Sequence, residues 1–231
     1  MSIEYPDLQP FYRQVFEDTV SDRGIAKEIE FSRIFLEEWV GNFLHPFGDD
    51  LHRETLLDNI FYSYLASQSN VFDWLCHSLL FGHYQMVLRE LRTILENMFY
   101  MFYLDVSYKD KTVEEKFQIL KEQELRGVKL HGKSIFKNSQ YPNWEPSYEL
   151  YQELCKYIHI HSTTSAKLAM EIAHKGFPEI LEINYNKKSF LECIRAWEKI
   201  AKTSVNLAVD ICEKLDVEIS EFNPSYFENI W

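Results

Sequence analysis

The segment RELRTILENMFYMFY sets Arg89, Arg92, Glu96, Tyr100 and Tyr103 on one side of a helix. Leu88, Leu91, Leu95, Met98 and Phe102 fall on the opposite side. Arg92 and Glu96 are four apart and can pair directly. Arg89 and Arg92 are the only basic residues between positions 61 and 108. Burying a charge is costly unless it is paired and hydrogen-bonded. The seam therefore needs partners: Glu96 and the tyrosine hydroxyls, a polar group from another helix, or a ligand. An internal Arg–Glu clamp would hold two helices in register. An open guanidinium would take a carboxylate or phosphate through its planar fork.

A second segment, YELYQELCKYIHIHSTT, carries Tyr151, Cys155 and His159. His159 lies one turn from Cys155, on the side of Tyr148 and Gln152, while His161 falls on another face. Two histidines two apart on a regular helix do not share one metal. His159 reads either as a packed histidine donating to a carbonyl, or as an acid/base or pH-sensitive group reaching the seam. A third cluster, His45, Asp49, Asp50, His52 and Glu54 in HPFGDDLHRE, mixes ligand types suited to zinc, manganese or iron. Its plainer reading is an acidic loop whose Asp50 caps the next helix. No P-loop, dinucleotide-binding glycine pattern, nucleophile elbow or HExxH occurs. No cofactor is implied.

Helical periodicity predicts the elements that position these residues. A first helix covers 8–20, with Phe11, Val15 and Phe16 at helical spacing. A second covers 25–44 and ends before Pro46. A third runs over 54–81, with Leu57, Phe61, Tyr64, Leu65, Phe72, Leu75 and Leu79 in its stripe. A fourth runs over 84–106, after the stop at Gly82. These two form an antiparallel hairpin. A charged helix covers 112–125, and 127–146 is a long loop or flap. A sixth helix starts near 145–147 and continues or bends into 166–174. The last covers 187–215. The tail 217–231 is irregular; its Tyr226, Phe227, Ile230 and Trp231 are expected to dock on the body or on a second subunit. The expectation is a single all-α domain over 1–231, a bundle of about six or seven helices with its core at 54–215.

Composition narrows the partners. The 231 residues are 46% apolar with seven glycines, which suits a helical core and argues against a turn-rich β-sandwich. The net charge of −12 disfavours broad nucleic-acid binding, with the basic island at 109–140 as the exception. Positions 61–108 hold six charged residues and twelve aromatics, so most faces of the hairpin are expected to be covered. Cys76, Cys155, Cys193 and Cys212 form no CxxC pair, and the opening residues have no apolar signal core. Both point to reduced thiols in a cytoplasmic protein. The most apolar run, NMFYMFYL, is bounded by Glu96 and Asp105 and reads as core helix, not membrane span.

The pattern Arg89, Arg92, Glu96, followed by Tyr151, Leu154, Tyr157 and His159, resembles a loose group of all-helical prokaryotic proteins similar to the HEPN-like superfamily. The likeness covers roughly 54–210 at the level of helix order. Members often carry Ser where Cys155 stands and a Pro shortly after the His, which this chain lacks. The resemblance implies an all-α bundle, frequently dimeric, from toxin, defence or sensory contexts. Active HEPN nucleases carry Arg–x4–6–His on a late helix. Arg126 and His131 match that spacing, but Gly127 and Gly132 oppose a helix there, and the pair sits earlier in the chain.

The leading expectation is a non-catalytic helical binding or regulatory protein, a homodimer, with a clamp or small-anion pocket at Arg89, Arg92, Glu96, Tyr100, Tyr103, Tyr151 and His159. A protein partner or a small anionic ligand suits it; a membrane does not, and nucleic acid only through 126–137. The first alternative is a metal-independent ribonuclease using Arg126 and His131, or Arg92 and His159. The second is a metalloprotein using His45, Asp49 and His52. That last reading predicts bound metal after purification without chelator, and metal analysis at zero occupancy sinks it.

Overall fold

The computed structural model describes residues 9–28, 30, 59–126, 132–157, 170 and 185–214. The fold is all-α, with no strand among the described residues. The helices are α1 (Gln9–Ser21), α2 (Ile60–Ser67), α3 (Ser69–Leu80), α4 (Tyr84–Ser107), α5 (Val113–Leu125), α6 (Lys133–Asn138), α7 (Trp144–Cys155) and α8 (Lys187–Lys214). A 3-10 turn, Arg23–Ile25, follows α1. Among the described residues no helix is long and apolar enough to cross a membrane.

The centre is α4. Its stripe of Tyr84, Leu88, Leu91, Leu95, Met98 and Phe102 is buried, as the wheel predicts. The 28-residue α8 packs along it and buries Phe190, Ile194, Trp197, Ile200 and Ile211. Trp197 stacks on Phe72 of α3 with ring centroids 5.6 Å apart, and neither ring meets solvent. Removing a ring so buried costs about 3–5 kcal/mol.

Two expectations are corrected. Of the single helix predicted over 54–81, residues 54–58 lie outside the described residues, and the rest is two helices broken at Gln68. The sequence there is Ser67–Gln68–Ser69–Asn70, and short polar side chains compete for backbone partners. The Ser67 hydroxyl bonds the Tyr64 carbonyl at 2.7 Å, and the Gln68 N–H is shared between the carbonyls of Tyr64 and Leu65. The proposed loop over 127–146 holds α6 and the start of α7. Helix α6 is too short for a periodic signal, yet Ile135 and Phe136 are buried, and Phe136 meets Phe99 at 4.4 Å. Pro146 sits in the first turn of α7, where its missing N–H is not needed. In α1, Val15 faces inward while Phe16 is 37% exposed. Beyond 25–28 and 30, the second predicted helix lies outside the described residues, as do the tail 217–231 and all of 166–174 except Met170.

Among the described residues, the apolar framework encloses the Asp105–Lys116 ion pair. Asp105, near the end of α4, is fully buried. Its Oδ1 accepts from the Ile60 N–H at 3.1 Å and from Lys116 Nζ at 2.8 Å; its Oδ2 accepts from the Phe61 N–H at 2.8 Å. Asn59 completes the α2 cap by accepting from the Tyr62 N–H at 3.1 Å. Lys116 comes from α5, whose first turn is fixed by a capping box between Thr112 and Glu115. Burial pushes the Asp105 carboxyl above its ordinary range, against the pull of Lys116 and the two backbone N–H groups.

Lys116→Met leaves that carboxylate without its cation, at an expected cost of about 3–5 kcal/mol. The raised folded-state pKa means that protonation favours the folded form. Loss of the Lys116 cation raises the Asp105 pKa further, so the Lys116→Met deficit is full above the variant's folded pKa and shrinks as pH falls through it. Urea denaturation of both proteins at neutral and mildly acidic pH checks this. A deficit that grows on acidification contradicts it.

Candidate functional site

Helix α4 carries the polar seam and meets α6 and α7. Arg92 Nη2 lies 2.8 Å from Glu96 Oε2, the one-turn pairing expected from the sequence. The same nitrogen donates to the Tyr151 hydroxyl of α7. Tyr151 in turn donates to Glu96 Oε1 at 3.1 Å. The Gly132 N–H, at the start of α6, donates to that oxygen at 3.3 Å. The Arg92 guanidinium also lies over the Tyr151 ring, 4.8 Å from its centroid.

Both Glu96 oxygens are thus occupied, and the two charged side chains are 23% and 17% exposed. Burial works against the Arg92 charge, but the Tyr151 hydrogen bond and the Glu96 carboxylate outweigh it and hold the guanidinium above its ordinary pKa. Burial pushes the Tyr151 hydroxyl up to about 12, so it stays protonated and can donate. The Arg92 Nε is buried and has no hydrogen-bond acceptor. Cys155, one turn along from Tyr151, lies close enough to contribute to the Arg92 charge balance.

Gly132 adopts φ 52° and ψ −133°, a conformation that glycine alone takes readily. A Cβ there would have space, its nearest neighbour being the Tyr151 ring at 3.9 Å. Backbone geometry therefore sets the need for glycine. Phe136 packs on Tyr148 and Tyr151, and these two tyrosines stack at 6.1 Å. That aromatic layer fixes the Tyr151 hydroxyl toward Arg92.

The other expected members of the seam lie elsewhere. Tyr100 donates to Gln123 of α5 at 2.9 Å, and Tyr103 stacks beside Tyr100 and meets Tyr108 edge-on. The C-terminal half of the stripe faces a different helix, so Tyr100 and Tyr103 do not join Arg92. Arg89 is exposed, and among the described residues its side chain forms no ion pair. Arg126 is exposed and pairs with Glu122 on its own helix at 3.3 Å. His159, His131, His45, Asp49 and His52 lie outside the described residues. Among the described residues, no group of three or more His, Cys, Asp or Glu side chains is placed to hold a metal. All four cysteines are free thiols.

Sequence reasoning missed the Gly132 N–H and the Asp105–Lys116 pair. Gly132 had a signal, as a glycine ahead of a polar start, but it read only as a breaker. Asp105 had one too, as a single acid closing the most apolar run of the chain.

No protein-family model, no curated protein and no solved structure matches this chain.

Tyr151→Phe keeps the aromatic layer and removes the hydroxyl that serves both Arg92 and Glu96. The expected loss is about 1–3 kcal/mol, since two half-buried charged groups each lose a partner. Gly132→Ala is expected to cost about 1–3 kcal/mol from backbone strain alone. Chemical denaturation measures both, and unchanged midpoints contradict the clamp geometry.

Proposed function

We propose that this chain is a non-catalytic helical binding or regulatory protein, in which the Arg92–Glu96–Tyr151 seam is a structural clamp holding α6 and α7 on α4. One observation carries this reading: both oxygens of Glu96 and the Tyr151 hydroxyl are already committed inside the protein. Three donors, the Arg92 guanidinium, the Tyr151 hydroxyl and the Gly132 N–H, orient the Glu96 carboxylate within the protein. A HEPN-like, cytoplasmic homodimer remains the context we assign to it, and it acts through contacts on its surface. The ribonuclease alternative gains no support from Arg126, whose guanidinium is turned to Glu122.

The test is the thermal stability of wild type and Arg92→Ala against nucleotides, small carboxylates, divalent metals and short RNAs. A ligand that binds only the folded state raises the melting temperature. Arg92→Ala is expected to melt several degrees lower while keeping every ligand-induced shift that wild type shows. A compound that stabilises wild type and not Arg92→Ala makes the seam a binding site. Cleavage of the RNAs that is lost in Arg126→Ala overturns the non-catalytic reading.

A further inference from the structure

We propose that the cleft where α7 meets α8 binds a small monocarboxylate with an aromatic or branched apolar body; this rests on reading the chain as a binding protein and names the ligand class.

The cleft is a cavity of about 240 Å³ bounded by α4, α7 and α8. Its apolar wall is Leu88, Leu150, Leu154 and Ala196, all between 2% and 6% exposed. Its polar lining is Lys156, Arg195 and Lys199 against Glu153 and Glu192. The lining therefore has an excess of positive charge on a chain whose net charge is −12. A local reversal of sign of this kind concentrates anions.

The two carboxylates are already engaged. Glu153 lies 3.8 Å from Lys199. Glu192 accepts from the Tyr157 hydroxyl at 3.4 Å and lies 4.0 Å from Lys188. Arg195, on α8, and Lys156, just after α7, form no ion pair among the described residues. Both line the same cleft, Arg195 from α8 and Lys156 from just after α7.

Each property selects one feature of the ligand. The leucine wall takes an apolar body. A cavity below the roughly 300–1,000 Å³ of drug-sized sites fits one ring system or a short branched chain. The Arg195 guanidinium takes a carboxylate through its fork. A dianionic phosphate would meet Glu153 and Glu192 across the mouth, so a single negative charge fits better.

The test is calorimetric titration of the full chain with phenylacetate, phenylbutyrate and indole-acetate, each beside its neutral amide. At least one acid is expected to bind with Kd below about 1 mM, and its amide about tenfold or more weaker. Arg195→Gln, at an exposed position, is expected to weaken the acid by a similar factor with an unchanged melting temperature. Ala196→Leu fills the cavity and is expected to abolish binding. The inference is overturned if no acid binds, if acid and amide bind alike, or if Arg195→Gln leaves Kd unchanged. Loss of acid binding in Arg92→Ala with Arg195→Gln unaffected moves the ligand to the seam. That result overturns this inference and the clamp reading together, whereas silence from the three acids overturns this inference alone.

Discussion

A carboxylate without access to water organises this bundle. Asp105 draws the first N–H groups of α2 and the ammonium of Lys116 to one point beside α4. Three helices then meet where the chain would otherwise bury unpaired polar groups. Desolvating an ion pair rarely adds net stability over a well-packed apolar alternative. What it adds is a geometric condition: the packing of α2 and α5 on α4 must satisfy this carboxylate. The aromatic contacts around it, such as Phe61 on Phe102 at 5.9 Å, are less directional than the hydrogen bonds to Asp105.

The Arg92 seam applies the same logic at the middle of α4. There the partners are α6 and α7, and the charge is shared between a salt bridge, a tyrosine hydroxyl and one backbone N–H. A single 24-residue helix is thus fixed at its middle and near its C-terminal end by polar groups, and along its length by leucines and aromatics.

Much of this was legible in the chain. Local patterns were readable because they need only helical geometry: the apolar stripe of α4, the Arg92–Glu96 pair and the extent of α8 all follow from spacing. Tyr100 and Tyr103 share the Arg92 stripe on the wheel, yet α4 is long enough to face two different neighbours on that side. A wheel projects the helix down its axis and loses this distinction. The Asp105 partners lie up to 45 residues away in sequence, and Lys116 sits in a charged helix that reads as a solvated surface. Nothing local marks one lysine among several as the buried one. Of the candidate metal residues, none falls within the described part of the chain.

The break at Gln68 has a consequence for how the molecule opens. Helix α2 is tied down at its N-terminus by Asp105, whereas α3 is held by the Phe72–Trp197 stack. A continuous helix would couple those two anchors through one unbroken ladder of amides. Interrupting the ladder lets each half exchange its amide hydrogens through its own opening event. Two neighbouring segments of one helical arm are then separate cooperative units, one governed by a buried charge and the other by a stacked ring.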